Sequence, residues 1–338
     1  MKISIIFCHY KNGKMSAYTV SQLLKYKGDN DIEILISDNS RDNSINYLEP
    51  FKEFIKIIPY PKNVIQSHGC GYDLLMNHVT NDYVIPIESD SFPTKENWIE
   101  YYLPIIKEGY SIAGSIMTLS GGEYIHPAGS IIKKSDWEEA KKYCESIPYH
   151  YLPNAAIIED FPNHLMVHND IWDFFLMRPA SFVELPVKCL SFSKGDWLAK
   201  ESFYKPVVGP YHNGMGMFKE TFKTYSKRNM NTEPAGILLD GKDRTIFRMG
   251  YEPGQWLSYY LKASEKKIAQ IPTKVKWLPN RENQQQEYTI MDNGFKHLWA
   301  GSSFLDMKGT DNNDIYEFKI KQINDLYDSL PSEQKTSL

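Results

Sequence analysis

The chain has 338 residues, of which 42% are hydrophobic, enough to bury one large core or two modest ones. Its formal net charge of -4, without a basic surplus, argues against nucleic acid as a partner. No stretch approaches the roughly 18 apolar residues of a membrane span, and the N-terminus is typical of a first strand, not of a signal peptide. Four cysteines stand far apart without a CxxC pattern. We therefore expect a cytoplasmic protein without a transmembrane segment.

The first third of the chain alternates strand-like apolar segments with segments of helical spacing. Strands are predicted at 2–7, 32–37, 54–58, 82–90 and 110–118, and helices at 15–26, 44–48, 67–79 and 95–107. This alternation predicts an α/β fold on a doubly wound, mostly parallel sheet with helices on both faces. Right-handed crossovers then place the loops after the first, second and fourth strands along one edge of the sheet.

After residue 120 the periodicity weakens. A strand and a helix are predicted within 128–143, with Ser135 as N-cap and Glu138 completing a capping box. The region around 145–245 is rich in Pro, His and Asn, and we expect an insertion there that contributes to acceptor binding. The remaining predicted elements are a helix over 251–264, a strand over 267–273 and a terminal helix over 314–330.

Three predicted strands end in polar or acidic residues. The residues at these ends are His9, Tyr10, Asp38, Ser40, Glu88, Ser89 and Asp90. The carboxyl ends of parallel strands share one edge of a sheet, where α/β proteins bind their ligands. We therefore expect these side chains to surround one ligand. The nearby segment HGCG, at 68–71, fits either a phosphate cradle at a helix N-terminus or a tight turn before a helix.

Three segments, in order and at ordinary spacing, resemble family 2 glycosyltransferases of the GT-A fold. They are the opening strand and turn ISIIFCHYKN, the strand and acidic loop ILISDNSRDNS, and the strand with its acid-x-acid motif VTNDYVIPIESDS. The resemblance covers about the first 135 residues. It implies a GT-A domain over 1–305, followed by a helical tail over 306–338. Within the domain, residues 1–120 are expected to bind the nucleotide sugar and residues 120–305 the acceptor.

The resemblance implies a donor site for a nucleoside-diphosphate sugar. Its expected residues are His9, Tyr10, Asp38, Ser40, Glu88 and Ser89, with Asp90 as a metal ligand. The Asp38 carboxylate can accept a charge-assisted hydrogen bond from a uracil-type N–H, which favours a UDP-sugar, and Tyr10 can stack on the base. Asp90 can bind Mn²⁺ or Mg²⁺ on the diphosphate, where the cation stabilises the departing charge. Glu88 stands where the family usually has Asp, and we expect it to contact the ribose or a metal-bound water.

A general base and a late metal-binding histidine are also implied by the resemblance. The segment GYEPGQW offers Glu252 as the base, and FKHLWAGSS offers His297 as the metal ligand. The rival pair is Asp170, in HNDIWDFFLMR, with His212, in PYHNGMG. We favour the first pair because a strand follows the predicted helix and Gly-Ser follows the histidine. Pro253 departs from the family, which commonly has a second acid at that position.

These features predict a metal-dependent glycosyltransferase that inverts the anomeric centre, although retaining enzymes share the same metal motif. The acceptor is an unidentified hydroxyl on a glycan, a lipid-linked molecule or a protein. A nucleotidyltransferase is one alternative, but its Gly-rich basic loop after the first strand is poorly matched by CHYKNGKMS. A second alternative is a sugar-nucleotide-binding protein that has lost activity, as Glu88 and Pro253 would then indicate.

Overall fold

The computed structural model of the chain describes most of its N-terminal and C-terminal parts. The described residues are 1–40, 42–59, 68–119, 122–145, 181–186, 237–239, 244–249, 257–258, 261, 264–279, 281, 285–299, 302–310 and 312–336. Most of the expected insertion around 145–245 lies outside these ranges, so that the division of the chain into donor and acceptor halves stays a prediction.

In the described ranges the strands form one large sheet and three small ones. In chain order they are β1 (Lys2–His9), β2 (Asp31–Asp38), β3 (Ile55–Pro59), β4 (Tyr83–Pro86), β5 (Ser91–Pro93), β6 (Ile112–Gly114), β7 (Ile116–Leu119), β8 (Gly122–Ile125), β9 (Ile131–Lys133), β10 (Ser181–Pro186), β11 (Ile237–Leu239), β12 (Arg244–Met249), β13 (Ile268–Gln270), β14 (Thr273–Trp277), β15 (Gln286–Met291) and β16 (Phe295–His297).

The helices connect these strands and cover the sheet. They are α1 (Gly13–Tyr26), α2 (His68–Met76), α3 (Leu103–Lys107), α4 (Lys134–Glu145) and α5 (Asn313–Asp328), with 3-10 helices at Asn43–Phe51, Glu100–Tyr102, Ser302–Met307 and Ser332–Gln334. Among the helical residues that the structure describes, no helix has the length and apolarity needed to cross a lipid bilayer.

The large sheet has seven strands in the order β13-β6-β9-β4-β1-β2-β3. Every neighbouring pair is parallel except the two pairs that involve β9. The expected α/β fold on a mostly parallel sheet is therefore confirmed. The smaller sheets, β14-β15-β16-β5, β10-β12-β11 and the hairpin β7-β8, are antiparallel.

Two predicted strands prove to be shorter than their apolar runs. The strand predicted over 82–90 ends at Pro86. Ile87 N still donates to the Ile6 carbonyl of β1 over 2.9 Å, and the chain then turns before β5 joins a different sheet. The strand predicted over 110–118 breaks at Gly114 into β6 and β7, which also belong to different sheets. A Cβ on Gly114 would lie 2.7 Å from the Ser130 side chain, so that the close approach of the next strand requires glycine there.

Helix boundaries also differ from the predictions. Only Leu103–Lys107 of the segment 95–107 is α-helical, and Pro104 stands in its first turn, where its missing N–H is tolerated. The helix predicted at 44–48 is a 3-10 helix that begins after Asp42, whose carboxylate accepts a hydrogen bond from Ser44 N. Ser135, predicted as an N-cap, lies within the first turn of α4.

The core on the large sheet is formed by the buried strands β1, β2 and β4 together with α1. Six consecutive residues of β1, from Ile3 to Cys8, are buried, as expected for a central strand that is covered on both faces. A second apolar cluster joins α1, β5 and α5 through Met15, Phe92 and Ile323. The predicted C-terminal helix thus packs against the first helix of the chain.

Helix α2 approaches the ends of β1 and β2 through Gly71. The segment HGCG forms the first turn of this helix. A Cβ placed on Gly71 would lie 2.3 Å from Cys8 Sγ and 2.8 Å from Ser37 Oγ. These contacts are too short for a real side chain, so glycine sets the distance between α2 and the sheet.

We expect the Gly71→Ala substitution to lower the free energy of unfolding by about 1–3 kcal/mol, because the added methyl group overpacks the contact. Urea unfolding of the parent and the variant measures the difference. The Cys8→Ala substitution in the same protein removes the nearest atom and should restore part of the loss. Equal stability of the parent and Gly71→Ala would contradict this packing role.

Candidate active site

The predicted strand ends meet at one edge of the large sheet. Strands β1 and β2 are parallel, and their last residues, His9 and Asp38, are paired in register. On the other side of β1, Ile6 pairs with Pro86, the last residue of β4. The acidic turn that starts at Glu88 therefore leaves the sheet beside the end of β1.

The turn at 88–90 is held by hydrogen bonds from three directions. Within the turn, Ser91 N donates to the Glu88 carbonyl over 2.9 Å. From α1, Thr19 Oγ1 donates to the Ser89 carbonyl over 2.7 Å. From the segment after β16, Leu298 N donates to the Asp90 carbonyl over 3.1 Å. The backbone that carries the two carboxylates is thus fixed before any ligand binds.

Strand pairing brings His297 to this turn from a distant part of the sequence. Strand β16 lies antiparallel to β5, with His297 opposite Ser91. As a result, His297 Nε2 lies 3.0 Å from Glu88 Oε2 and 3.4 Å from Asp90 Oδ1. One ligand atom from each of the three residues lies within 4.8 Å of the others.

The three side chains are buried or nearly so, and their charges are strongly coupled. Asp90 is completely inaccessible to solvent, and His297 is 4% exposed. Burial by itself lowers the pKa of His297, but the charges of Asp90 and Glu88 outweigh it and raise the pKa to about 10. The imidazole is therefore cationic at neutral pH in the absence of other ligands. The arrangement attracts a positive charge to the space between the carboxylates.

Two aromatic side chains that the sequence did not single out surround this cluster. The His126 ring lies 5.4 Å from the His297 ring at an interplanar angle of 22°, and Trp299 lies 4.2 Å from His297. His126 Nε2 also lies 3.5 Å from Glu88 Oε1. Trp299 has a φ of 52°, a conformation that bulky residues rarely adopt.

A buried lysine ties α5 to the same region. Lys319 Nζ donates to the Glu287 carbonyl over 2.8 Å and also to the Leu298 carbonyl. Burial lowers the pKa of this ammonium to about 8, while the charge of Asp90 acts in the opposite direction. The Leu298 carbonyl thus accepts a hydrogen bond from Lys319, and the Leu298 N–H donates one to the Asp90 carbonyl.

The loop after β2 forms the second part of the candidate site. One oxygen of Asp38, Oδ1, accepts a hydrogen bond from Ser40 N over 2.9 Å, and Ser40 Oγ accepts one from Lys11 N over 2.8 Å. The Lys11 ammonium lies 4.9 Å from the centre of the Tyr10 ring. Burial raises the pKa of Asp38, which is half-buried, and the Ser40 hydrogen bond opposes that shift. The loops after β1 and β2 are therefore joined to each other.

His9 lies beneath these loops. It is inaccessible to solvent, with Ser16 Oγ 2.9 Å from Nδ1 and Ser44 Oγ 2.9 Å from Nε2. The Ser44 hydroxyl in turn donates to Asp42. Both ring nitrogens are thus engaged by serines, which connects His9 to α1 and to the 3-10 helix that follows β2. Its expected contact with the donor stays a prediction.

The remaining site predictions fall on other parts of the chain. Glu252, Asp170 and His212 lie outside the described residues, so the choice of the base and the rival metal ligand stays open. His297, Glu88 and Asp90 are brought together as described above. Ser89 belongs to the same turn through its carbonyl contact with Thr19.

Acid should destabilise the folded chain through His9. Burial lowers its pKa to about 4 in the folded state, with the charge of Asp42 opposing, whereas an unperturbed histidine titrates near 6.5. Between these values the unfolded chain binds a proton that the folded chain does not. The free energy of unfolding therefore falls as the pH decreases from 6.5 to 4, by about 3 kcal/mol for this residue.

Urea unfolding across this pH range should reveal the difference between the parent and His9→Asn. The amide side chain retains hydrogen-bonding capacity towards the serines but does not titrate. We expect the parent to lose more stability than the variant between pH 6.5 and pH 4. Parallel curves for the two proteins would show that His9 is not buried in its neutral form.

Residues 4–166 match the model of the family described as Glycosyl transferase family 2. No curated protein sequence matches the chain.

Among solved structures, the chain is similar to the mannosyltransferase PcManGT from Pyrobaculum calidifontis in complex with GDP-Man and Mn²⁺. The identity is 9% and the TM-score 0.36, over 40% of this chain and 46% of that chain. It is also similar to S. aureus TarS 1-349 in complex with UDP-GlcNAc, with 15% identity and a TM-score of 0.34, over 42% of this chain and 48% of that one. The alignments thus span less than half of each solved chain.

The family match covers the large sheet as far as β9, the loops after β1 and β2 and the acidic turn. It rests on the same segments that carried the resemblance in the sequence, and that resemblance is confirmed. Residues 4–166 of this chain thus match the model of glycosyl transferase family 2, and the described part of this range forms the mostly parallel sheet expected of the GT-A fold.

Proposed function

We propose that the protein transfers a sugar from a nucleoside-diphosphate sugar, with a UDP-sugar favoured, to an acceptor hydroxyl. The reaction is metal-dependent and inverts the anomeric centre. One observation carries the proposal: the buried cluster of Glu88, Asp90 and His297 stands at the same sheet edge as Asp38. A cation site next to a nucleotide site is what a diphosphate-linked donor requires.

The three ligand residues of the cluster fit a divalent cation. Two carboxylates and one imidazole lie within 4.8 Å of one another, and the imidazole would release its proton on binding a cation. An imidazole ligand favours Mn²⁺ over Mg²⁺, which prefers oxygen ligands. When bound, the cation stabilises the negative charge that develops on the departing nucleoside diphosphate.

The chain's own residues position the donor on either side of this cluster. Asp38 has one oxygen engaged by Ser40 N, which fixes the orientation of its carboxylate towards a base N–H. Tyr10 offers its ring for stacking on the base. The turn that carries Tyr10 is held by the hydrogen bond from Lys11 N to Ser40 Oγ. Asp90 and His297 would hold the cation needed at the diphosphate end, with Glu88 beside them.

The general base remains a choice between Glu252 and Asp170, and Glu252 is favoured. Ser258 Oγ, six residues after Glu252, accepts a hydrogen bond from Ile125 N over 3.0 Å. Ile125 directly precedes His126, whose ring lies against the cluster. The segment that follows Glu252 thus passes close to the proposed metal site. This supports Glu252, which comes from the same segment, as the base. The base takes the acceptor proton while the acceptor oxygen attacks the anomeric carbon from the side opposite the leaving group, which inverts that centre.

Removal of the Asp90 carboxylate should abolish the metal-dependent binding of the donor. We expect UDP-sugars to raise the melting temperature of the parent in the presence of Mn²⁺. At a ligand concentration one hundred times Kd, binding adds about 2.7 kcal/mol to the free energy of unfolding. For Asp90→Asn the Mn²⁺-dependent part of that increase should vanish. A panel of nucleotide sugars, measured with Mn²⁺ and with a chelator, provides the test.

A matched control for Asp90→Asn is Asp136→Asn, which neutralises a buried aspartate in α4 that pairs with Lys266. This variant should be less stable but should keep its response to Mn²⁺. An Asp90→Asn protein that responds like the parent would refute the metal site. A parent that binds a donor without ever transferring or hydrolysing its sugar would indicate a binding protein, not an enzyme.

On the nucleotide side, Asp38→Asn should weaken UDP binding about tenfold. The amide oxygen can still accept the Ser40 N–H, so the loop is retained, but the charge that strengthens the hydrogen bond to the base is lost. Isothermal titration with UDP measures the effect, and Mn²⁺ affinity should not change. The control is Asp42→Asn, which removes a nearby charge that caps a helix. Equal losses in both variants would mean that general electrostatics, not contact with the base, explains the effect.

A further inference from the structure

We propose that His126 is a positioning residue for Glu88. Its imidazole holds one oxygen of the Glu88 carboxylate, so that the other oxygen faces His297. The inference rests on the proposed metal-dependent function and adds to it a residue that directly follows β8.

The Glu88 carboxylate lies between two imidazoles. Its Oε1 is 3.5 Å from His126 Nε2, and its Oε2 is 3.0 Å from His297 Nε2. His126 is not one of the residues whose ligand atoms lie within 4.8 Å of one another, a group that consists of Glu88, Asp90 and His297. It therefore stands one layer further out, next to a candidate ligand and not among the ligands.

The orientation of the His126 ring is set by its surroundings. Ala128 N donates to His126 Nδ1 over 3.2 Å, so the proton of the neutral ring resides on Nε2, which faces Glu88. The backbone N–H of His126 donates to the Ser115 carbonyl over 2.9 Å. Since the ring is 9% exposed and lies 5.5 Å from the Trp299 ring, packing also restricts its rotation.

This arrangement gives a physical reason for glutamate at position 88. An aspartate would be shorter by one C–C bond, about 1.5 Å, and its carboxylate would not reach between the two histidines. The longer side chain needs support, because each added rotatable bond increases the number of conformations that must be lost. The imidazole of His126 supplies that support. In metal sites, partners that orient a ligand typically change metal affinity 10–100-fold when they are removed.

The test measures the affinity of the full chain for Mn²⁺ in the presence of UDP, with the electron paramagnetic resonance signal of free Mn²⁺ as readout. His126→Phe keeps a ring in the stack but removes the Nε2–H, and we expect about tenfold weaker binding. His126→Gln restores a donor and should recover part of the loss. His78→Ala replaces a histidine outside the cluster and should bind like the parent.

A double-mutant cycle separates positioning from general damage. If His126 acts through Glu88, the His126→Phe change should have little further effect in a Glu88→Asp protein, because the shorter carboxylate no longer reaches it. Additive losses in the double variant, or unchanged affinity in His126→Phe, would overturn the inference while leaving the metal site intact.

A parent that binds no Mn²⁺ would refute the proposed function instead. Urea unfolding without metal then decides the inference. It is measured for the four proteins of the cycle, namely the parent, His126→Phe, Glu88→Asp and the double variant. Coupling between His126 and Glu88 in the free energies of unfolding would support the positioning contact, and additive values would overturn it.

Discussion

The structure depends on one electrostatic constraint: the carboxylate of Asp90 has no access to water. A buried carboxylate is costly unless positive charge and hydrogen-bond donors surround it. Here the positive charge comes from His297, with the buried ammonium of Lys319 further away. Glu88 adds a second negative charge, so the balance favours a cation in this place. The cluster can thus accept positive charge without any rearrangement of its backbone.

Meeting this constraint requires elements that are far apart in the sequence. The acidic turn follows β4 of the large sheet, whereas His297 comes from β16 of a separate four-stranded sheet. Strand β5 belongs to that smaller sheet and begins directly after Asp90, so it joins the two. The early termination of β4 at Pro86 is what frees the chain to change sheets. A break in the expected strand is therefore part of the site.

The sequence predicted the features that depend on local patterns. The alternating strands and helices, the polar strand ends and the acid-x-acid turn are all short-range signals, and the class of the sheet followed from them. The surroundings of the site could not be predicted from such signals, because His126 and Lys319 reach it through contacts between segments that are distant in the sequence. Nothing in the segment HPAGS distinguishes its histidine from an ordinary buried one. The two serine partners of His9, which lie inside the fold, were likewise not indicated by its position at a strand end.

The lysine in α5 also has a consequence for the order in which the candidate site is assembled during folding. Its ammonium fixes the Leu298 carbonyl, and the N–H of the same residue fixes Asp90. The segment that carries His297 therefore depends on a helix that follows it in the chain, and the acidic turn and its histidine are held together only once α5 has packed against α1.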